Sequence, residues 1–267
     1  MNKVHEWIIE VDDFQPLEQY FESIGFWNYA VEKTAYSLFI KIYTEDESFV
    51  ESLLKRSNAK LIEHRVLEPK DWFVYLELKP FQIAPGVIVD PTGKLKGIKG
   101  ATVVKMWPSA AFGTGDHPTT KLAAQLMVEN IEKIRSLLDV GCGTGILAII
   151  AKKLGVEKVV AVDNDSTALQ VAEEFCKLNK VKINLVLSDL LSSVEDKFDM
   201  VVANINTLLC VKLLEQIDKV SHKDTLVVLS GIPNDEMELV LDFALSKNFE
   251  IISVRGMEGW KATLLKI

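Results

Sequence analysis

The stretch Leu137–Ala148, LLDVGCGTGILA, decides the fold. It leads from an apolar segment through three alternate glycines into a second apolar segment. SLLDVG has the length and character of a buried strand, and TGILAIIAKKLG has helical spacing. Strand, tight glycine turn and helix, in that order, open a β-α-β unit.

Downstream the alternation continues. KVVAVD, NLVLSD, FDMVVANI and TLVVLSGI read as strands, and STALQVAEEFCKLNK, LLCVKLLEQIDKVSH and DEMELVLDFALSKN as helices. Such alternation implies a parallel sheet with helices on both faces. FEIISVRGM and GWKATLLKI have no helix between them, so they should close one edge as an antiparallel hairpin. The sheet then has seven strands.

Upstream the rhythm differs. HEWIIEV is a strand. FQPLEQYFESIGF is a helix with Leu17, Tyr20, Phe21 and Ile24 on one stripe. YAVEKT and SLFIKIYT are strands, DESFVESLLKRS a helix and AKLIEHRVL a final strand. The order β-α-β-β-α-β is that of a ferredoxin-like α+β domain, placed at residues 1–67. Residues 68–85 read as a linker. A small β-hairpin then leads into the second domain, residues 86–267.

Bulk properties exclude several classes. No run of eighteen apolar residues exists, so no membrane span is expected, and the N-terminus lacks the long apolar core of a secretory signal. A cytoplasmic protein is expected. Cys142, Cys176 and Cys210 are odd in number and far apart, which argues against a disulfide frame. The four histidines lack ligand spacing, so no metal site is expected. Net charge is −8, with −6 of it in residues 1–68, and no dense basic patch for DNA is visible.

The glycine loop has the form Asp139-x-Gly141-x-Gly143-x-Gly145. Glycines let the backbone turn tightly and approach a ligand, and the following helix N-terminus favours a carboxylate or phosphate. The dinucleotide fingerprint needs a glycine where Ile146 stands. No lysine in the loop awaits a pyrophosphate. The spacing fits S-adenosylmethionine better than a nicotinamide dinucleotide. Asp163, ending the next strand, can accept from ribose hydroxyls, and Asp189, ending the third, from an adenine amine. With Asp139 they put three acids at three strand ends, a coherent nucleoside pocket with all three as cofactor-binding candidates, although Asp163 or Asp189 alone would simply cap a helix. Asn204 ends the fourth strand and is the candidate for holding a substrate amine through its side-chain carbonyl. The catalytic group is otherwise unassigned.

A second glycine-rich run, AFGTGDHPTTK, precedes all this at Ala111–Lys121. Asp116 or His117 is a plausible N-cap and Pro118 suits a first helical turn. Thr119 and Thr120 would offer hydroxyls at the cofactor edge. Phe112, Gly113, Thr114 and Gly115 would form a flexible flap over the ligand. Trp107 and Phe112 are candidates for walling an amine site, with ordinary aromatic packing as the default.

AFGTGDHPTT, LLDVGCGTGILAIIAKKLG, AVDND, FDMVVANI, the linker DWFVYLELKPFQI and the closing GWKATLLKI together resemble the methyltransferases of ribosomal large-subunit protein eleven, the PrmA family. The resemblance covers nearly the whole chain. It implies a class I S-adenosylmethionine-dependent methyltransferase domain, Rossmann-like, behind a substrate-recognition domain. It makes Thr120, Gly141, Asp163 and Asn204 cofactor-contacting positions. It implies methylation of lysine side chains and the N-terminal amine of that ribosomal protein, free or on the ribosome. A monomer is expected. The chain departs from the family pattern at Ser109, Asp116 and Asn206, which flank the reacting end. Two alternatives therefore stand beside it: a methyltransferase of the same fold with another protein or small-molecule substrate, and a non-catalytic S-adenosylmethionine-binding ribosome assembly factor.

Overall fold

A computed structural model describes residues 4–24, 26, 29–34, 37–57, 59–67, 79–95, 97–107 and 114–267. The chain divides into two compact units, Met1–Leu78 and Lys79–Ile267.

The first unit contains β1 (Val4–Val11), α1 (Gln15–Ile24), β2 (Tyr29–Lys33), β3 (Leu38–Tyr43), α2 (Glu47–Ser57) and β4 (Lys60–Leu67). The sheet is antiparallel in the order β2-β3-β1-β4, the ferredoxin-like arrangement. Alternation along β1 sends Trp7, Ile9 and Val11 into a core with Leu17, Phe21, Val50 and Leu53. Asp46 accepts the Phe49 N–H at 3.0 Å and so starts α2. Ile24, expected on the inward stripe, is 47% exposed, because it lies in the last turn of α1 where the stripe has rotated off the core.

The second unit begins with β5 (Phe81–Ala84), β6 (Val87–Asp90) and β7 (Thr102–Lys105). β5 and β6 form a hairpin that starts earlier than the one expected after residue 85, and β6 also pairs in parallel with β7, making a three-stranded sheet. Residues 81–84, read from sequence as linker, are therefore strand, since Ile83 and Ala84 are buried in this unit's core. Residues 68–78 of that linker lie outside the described residues.

There follow α3 (Pro118–Glu129), β8 (Ser136–Val140), α4 (Ile146–Lys153), β9 (Lys158–Asp163), α5 (Ser166–Asn179), β10 (Asn184–Leu187), β11 (Phe198–Asn204), α6 (Thr207–Gln216), β12 (Ser221–Pro233), α7 (Met237–Ser246), β13 (Glu250–Met257) and β14 (Trp260–Lys266). Their seven-stranded sheet has the order β10-β9-β8-β11-β12-β14-β13. β8 to β12 are parallel with their neighbours, and β14 runs antiparallel to both β12 and β13. The helix expected to reach His222 stops at Gln216. A 3-10 turn follows, and β12 starts at Ser221, where pairing with Phe198 claims the backbone.

Adjacent residues feed opposite cores. Leu137, Ala161, Val202 and Val228 face α3, α4 and α5, while Leu138, Val160, Val201 and Val227 face α6 and α7. A sheet buried on both faces needs such unbroken apolar strands. α4 is strongly apolar for the same reason: Ile146, Leu147, Ile149 and Ile150 are all buried, at about 2 kcal/mol of transfer free energy each. Cys142, Cys176 and Cys210 are free and buried, and burial pushes the Cys176 and Cys210 thiols up to about 11 and about 12. Among the described residues no helix is long and apolar enough to cross a membrane. No group of three or more His, Cys, Asp or Glu among them could hold a metal ion.

Candidate functional site

Strand register sets the site. Leu187 pairs with Asp163, Val162 with Val140, Val140 with Ala203, and Asn204 with Ser230. The carboxyl ends of β10, β9, β8, β11 and β12 thus form one edge, carrying Asp163, Gly141, Asn204 and Ser230, with Asp189 two residues past the end of β10. The chain order reverses between β8 and β11. Open α/β sheets bind ligands in the crevice at that point.

At the crevice Gly141 has φ +68°, and a Cβ there would lie 2.6 Å from Ile205 Cγ2, so the β8 and β11 loops meet only because residue 141 has no side chain. The loop is locked on its other side. Gly141 N–H donates to Val162 O at 2.8 Å, and Gly143 N–H to Asp163 Oδ2 at 2.8 Å. Asp163 Oδ1 accepts from Asp165 N–H at 3.0 Å. Each carboxylate oxygen keeps a free lone pair. Gly145 is the left-handed cap of α4, packed close to Ala172 of α5.

Asp139 stands apart from the other acids. It is 1% exposed, and its Oδ2 accepts the Ala148 N–H at 3.0 Å inside α4. Burial pushes its carboxyl up to about 7. The Ala148 bond opposes that rise and the Asp163 charge adds to it. Asp139 ties the end of β8 to the first turn of α4, so it sets the loop between them. Asp189, in contrast, is exposed, in the turn held by Ser192 N–H donating to its carbonyl.

The earlier loop arrives at the same edge. His117 is the N-cap of α3: its Nδ1 accepts from Thr119 N–H at 3.3 Å, and its ring meets Trp260 edge-on. The first turn of α3 is then pinned to two strand tips. Asn204 Nδ2 donates to Thr120 Oγ1 at 3.2 Å, and Ser230 Oγ donates to Thr119 O at 2.8 Å. Both threonines are buried. Gly115 is not a free hinge, since a Cβ there would lie 2.8 Å from Ile146 Cδ1 at the start of α4. Thr114 is half-buried beside it. Phe112 and Gly113 lie outside the described residues, as does Ser109. Asp116 pairs with Lys121 at 2.8 Å on the surface. Trp107 packs on Phe175 of α5, 5.3 Å between ring centres.

Two residues of the edge escaped the sequence reading. Gly231 has φ +87°, and a Cβ there would lie 2.4 Å from Ile205 O and 3.1 Å from Asn204 Oδ1. It lets β12 crowd the tip of β11. Ser230 holds α3 in place. The signal for both was the Ser-Gly pair after an apolar strand. Asn206, the third departure from the family pattern, caps α6 by accepting Leu209 N–H at 3.0 Å.

A parallel sheet of this order, with a glycine loop, an acid on the second strand and an asparagine on the fourth, defines a Rossmann-like class I methyltransferase. The solved structure of a tRNA m1G37 methyltransferase from M. jannaschii shares the fold at TM-score 0.50 and 14% identity, covering 98% of this chain and 99% of its own. The match to the family model of ribosomal protein L11 methyltransferase (PrmA) spans residues 8–266, and the chain belongs to that family. A ribosomal protein L11 methyltransferase from Thermotoga petrophila is 39% identical over 259 residues, 97% of this chain and 96% of the relative. The solved structure of the ribosomal protein L11 methylase from Lactobacillus delbrueckii subsp. bulgaricus matches at TM-score 0.65 and 29% identity, covering 70% of this chain and 97% of that one.

Proposed function

We propose that the chain is an S-adenosylmethionine-dependent protein N-methyltransferase that modifies lysine ε-amines and the N-terminal α-amine of ribosomal protein L11 in the cytoplasm. The observation that carries this reading is the single edge on which Gly141, Asp163, Thr120 and Asn204 meet, in a chain whose relatives are named for that substrate.

The residues fit the nucleoside. Asp163 has lone pairs left for the ribose hydroxyls, and Asp189 is exposed at the neighbouring strand end for the adenine amine. Gly141 and Gly143 put no side chain of their own at the loop, and Phe112, Gly113, Thr114, Gly115 and Gly145 are the further positions assigned to the nucleoside. Bound there, S-adenosylmethionine supplies an electrophilic methyl on a sulfonium. The protein's part is alignment and exclusion of water.

Asn204 is the positioning group for the amine. Its Nδ2 is committed to Thr120, so its Oδ1 is turned away from that hydroxyl and accepts from the incoming N–H. That bond orients the nitrogen lone pair toward the methyl. The amine must arrive neutral, although a lysine's unperturbed pKa is about 10.4. Desolvation in the crevice and the neighbouring positive sulfur both favour the neutral form. No dedicated base is required, and His117 is occupied as a cap. Asp139 acts through the loop, so it is a positioning residue and not a direct ligand. The first unit, Met1–Leu78, is the substrate-recognition domain.

Mass spectrometry of purified L11 incubated with the protein and S-adenosylmethionine is the decisive test. Stepwise methyl additions on lysine and N-terminal peptides are the expected result. An unmodified L11, with the nucleoside bound in the same tube, would sink the substrate and leave a methyltransferase of another specificity. Asp163→Ala is expected to weaken S-adenosylhomocysteine binding by about 2–3 kcal/mol, since it removes a charge-assisted pair of hydrogen bonds. Calorimetry at fixed salt reads that loss.

A further inference from the structure

A cavity of about 530 Å³ opens in the second unit at the end of α4 remote from the glycine loop, lined by Gly93, Lys94, Leu95, Gly97, Val103, Lys105 and Lys153. That size suits a small ligand. Among the described residues that line it, three are lysines and none is an acid. Among the described residues none of the three has a carboxylate within ion-pair distance. Lys152 gives the contrast: its ammonium is used up on the carbonyls of Val156 and Glu157, at 3.1 and 2.6 Å. Lys153, one residue on, makes a single long contact with Asn179 O at 3.5 Å. Burial holds its amine below the usual range, and the Lys105 charge lowers it further.

Both walls are rigidly built. Asp90 is fully buried, and its carboxylate accepts from Thr92 N–H, Thr92 O–H and Leu95 N–H at 3.0, 2.6 and 2.8 Å. It thereby folds the Pro91–Leu95 turn that presents Lys94. Asn179, also buried, clamps the Lys105 backbone from both sides, accepting its N–H and donating to its carbonyl, each at 2.8 Å. Residues 69–267 carry a net charge of only −2, from −8 overall and −6 in residues 1–68. The three lysines are therefore a local concentration of positive charge on an otherwise acidic chain.

Uncompensated ammonium groups held together on a stiff frame are destabilising by themselves and are relieved by a multivalent anion. A single carboxylate would answer only one of them. We propose that this cleft is a phosphate-binding site, in which Lys94, Lys105 and Lys153 hold the phosphoryl oxygens of a polyphosphate anion or of an RNA backbone. Lysine suits that task as a mobile point charge. The site lies about 12 Å from the glycine loop, the length of α4, and does not depend on the proposed methyl transfer.

Titration of the full-length protein with pyrophosphate at low ionic strength tests this, with and without saturating S-adenosylhomocysteine. One saturable site that persists with the nucleoside present is expected. The triple variant Lys94→Gln, Lys105→Gln, Lys153→Gln should lose at least about tenfold in affinity, the single Lys105→Gln about threefold. Three arginines at the same positions should retain binding. Melting temperature checks the fold of each, and Lys105→Gln alone carries the test if the triple variant does not fold. A short single-stranded RNA that displaces pyrophosphate would identify the backbone as the phosphate source. Failure to displace would identify a free polyphosphate. Absence of saturable binding, or binding that survives in a folded glutamine variant, overturns the proposal.

Discussion

The two sheets solve different problems. The seven-stranded sheet is parallel through five strands and covered by helices on both faces. Its faces are mostly apolar, so polar chemistry gathers where the strands end. The four-stranded sheet is antiparallel and covered by α1 and α2 on one face. Its other face carries Tyr43 donating to Glu6 and Lys41 paired with Glu32. At its β4 edge, Leu61, Ile62 and Val66 are exposed. A sheet buried on both faces leaves only its edge for polar groups, whereas a sheet covered by helices on one face carries them on the other.

That contrast can be broken by separation. A chain of residues 79–267 should bind S-adenosylhomocysteine within about threefold of the full protein. Its methylation of L11 should fall by about three orders of magnitude or more, because the substrate is no longer positioned. Full methylation by the fragment would end the division of labour.

The next effect lies inside the edge. Asp139 has a folded pKa raised from 3.8 to about 7. Between those values the unfolded chain releases a proton that the folded chain keeps, so stability falls as pH rises through that window and levels off above it. The fall is expected to reach about 4 kcal/mol. Asp139→Asn keeps an acceptor for Ala148 N–H and should flatten the profile between about pH 4 and 7. Denaturant midpoints across pH read this directly.

Smaller still is the Gly141 contact. Gly141→Ala should cost about 2 kcal/mol of stability through strain at positive φ and overlap with Ile205. Ile205→Ala in the same chain should recover part of it. A double-mutant cycle with no coupling would show that the two loops do not meet. The smallest effect belongs to the surface. Glu129 and Arg255 form a two-bond pair at 2.8 and 2.5 Å. Arg255→Ala should cost under about 1 kcal/mol, and less in high salt.

Much of the edge was legible in advance because strand tips are marked locally. Asp163 and Asn204 each end an apolar run, and Gly141, Gly143 and Gly145 follow another. What local pattern could not show was direction. Asp139 has the same setting as Asp163 in sequence, an acid near a strand end, yet one is sealed between β8 and α4 and the other stands at the crevice. The difference is one of position along the strand. Asp139 lies two residues short of Gly141 and remains inside the two-faced core, whereas Asp163 pairs level with the loop. His5 and His64, fifty-nine residues apart in the chain, meet at 3.1 Å across β1 and β4, which no spacing rule could announce.

The sequence by itself marked the β-α-β-β-α-β order of the first unit, the alternation of strands and helices from β8 onward and the place of the glycine loop between β8 and α4. Those features are written in periods of two and 3.6 residues and in glycines, all local properties of the chain. The tertiary structure alone decided which segments converge. Strand register aligned Asp163, Gly141, Asn204 and Ser230 on one edge and drew the first turn of α3 onto it. Folding also gathered Lys94, Lys105 and Lys153 around one cavity. Convergence of that kind depends on packing between distant elements, and packing has no period in the sequence.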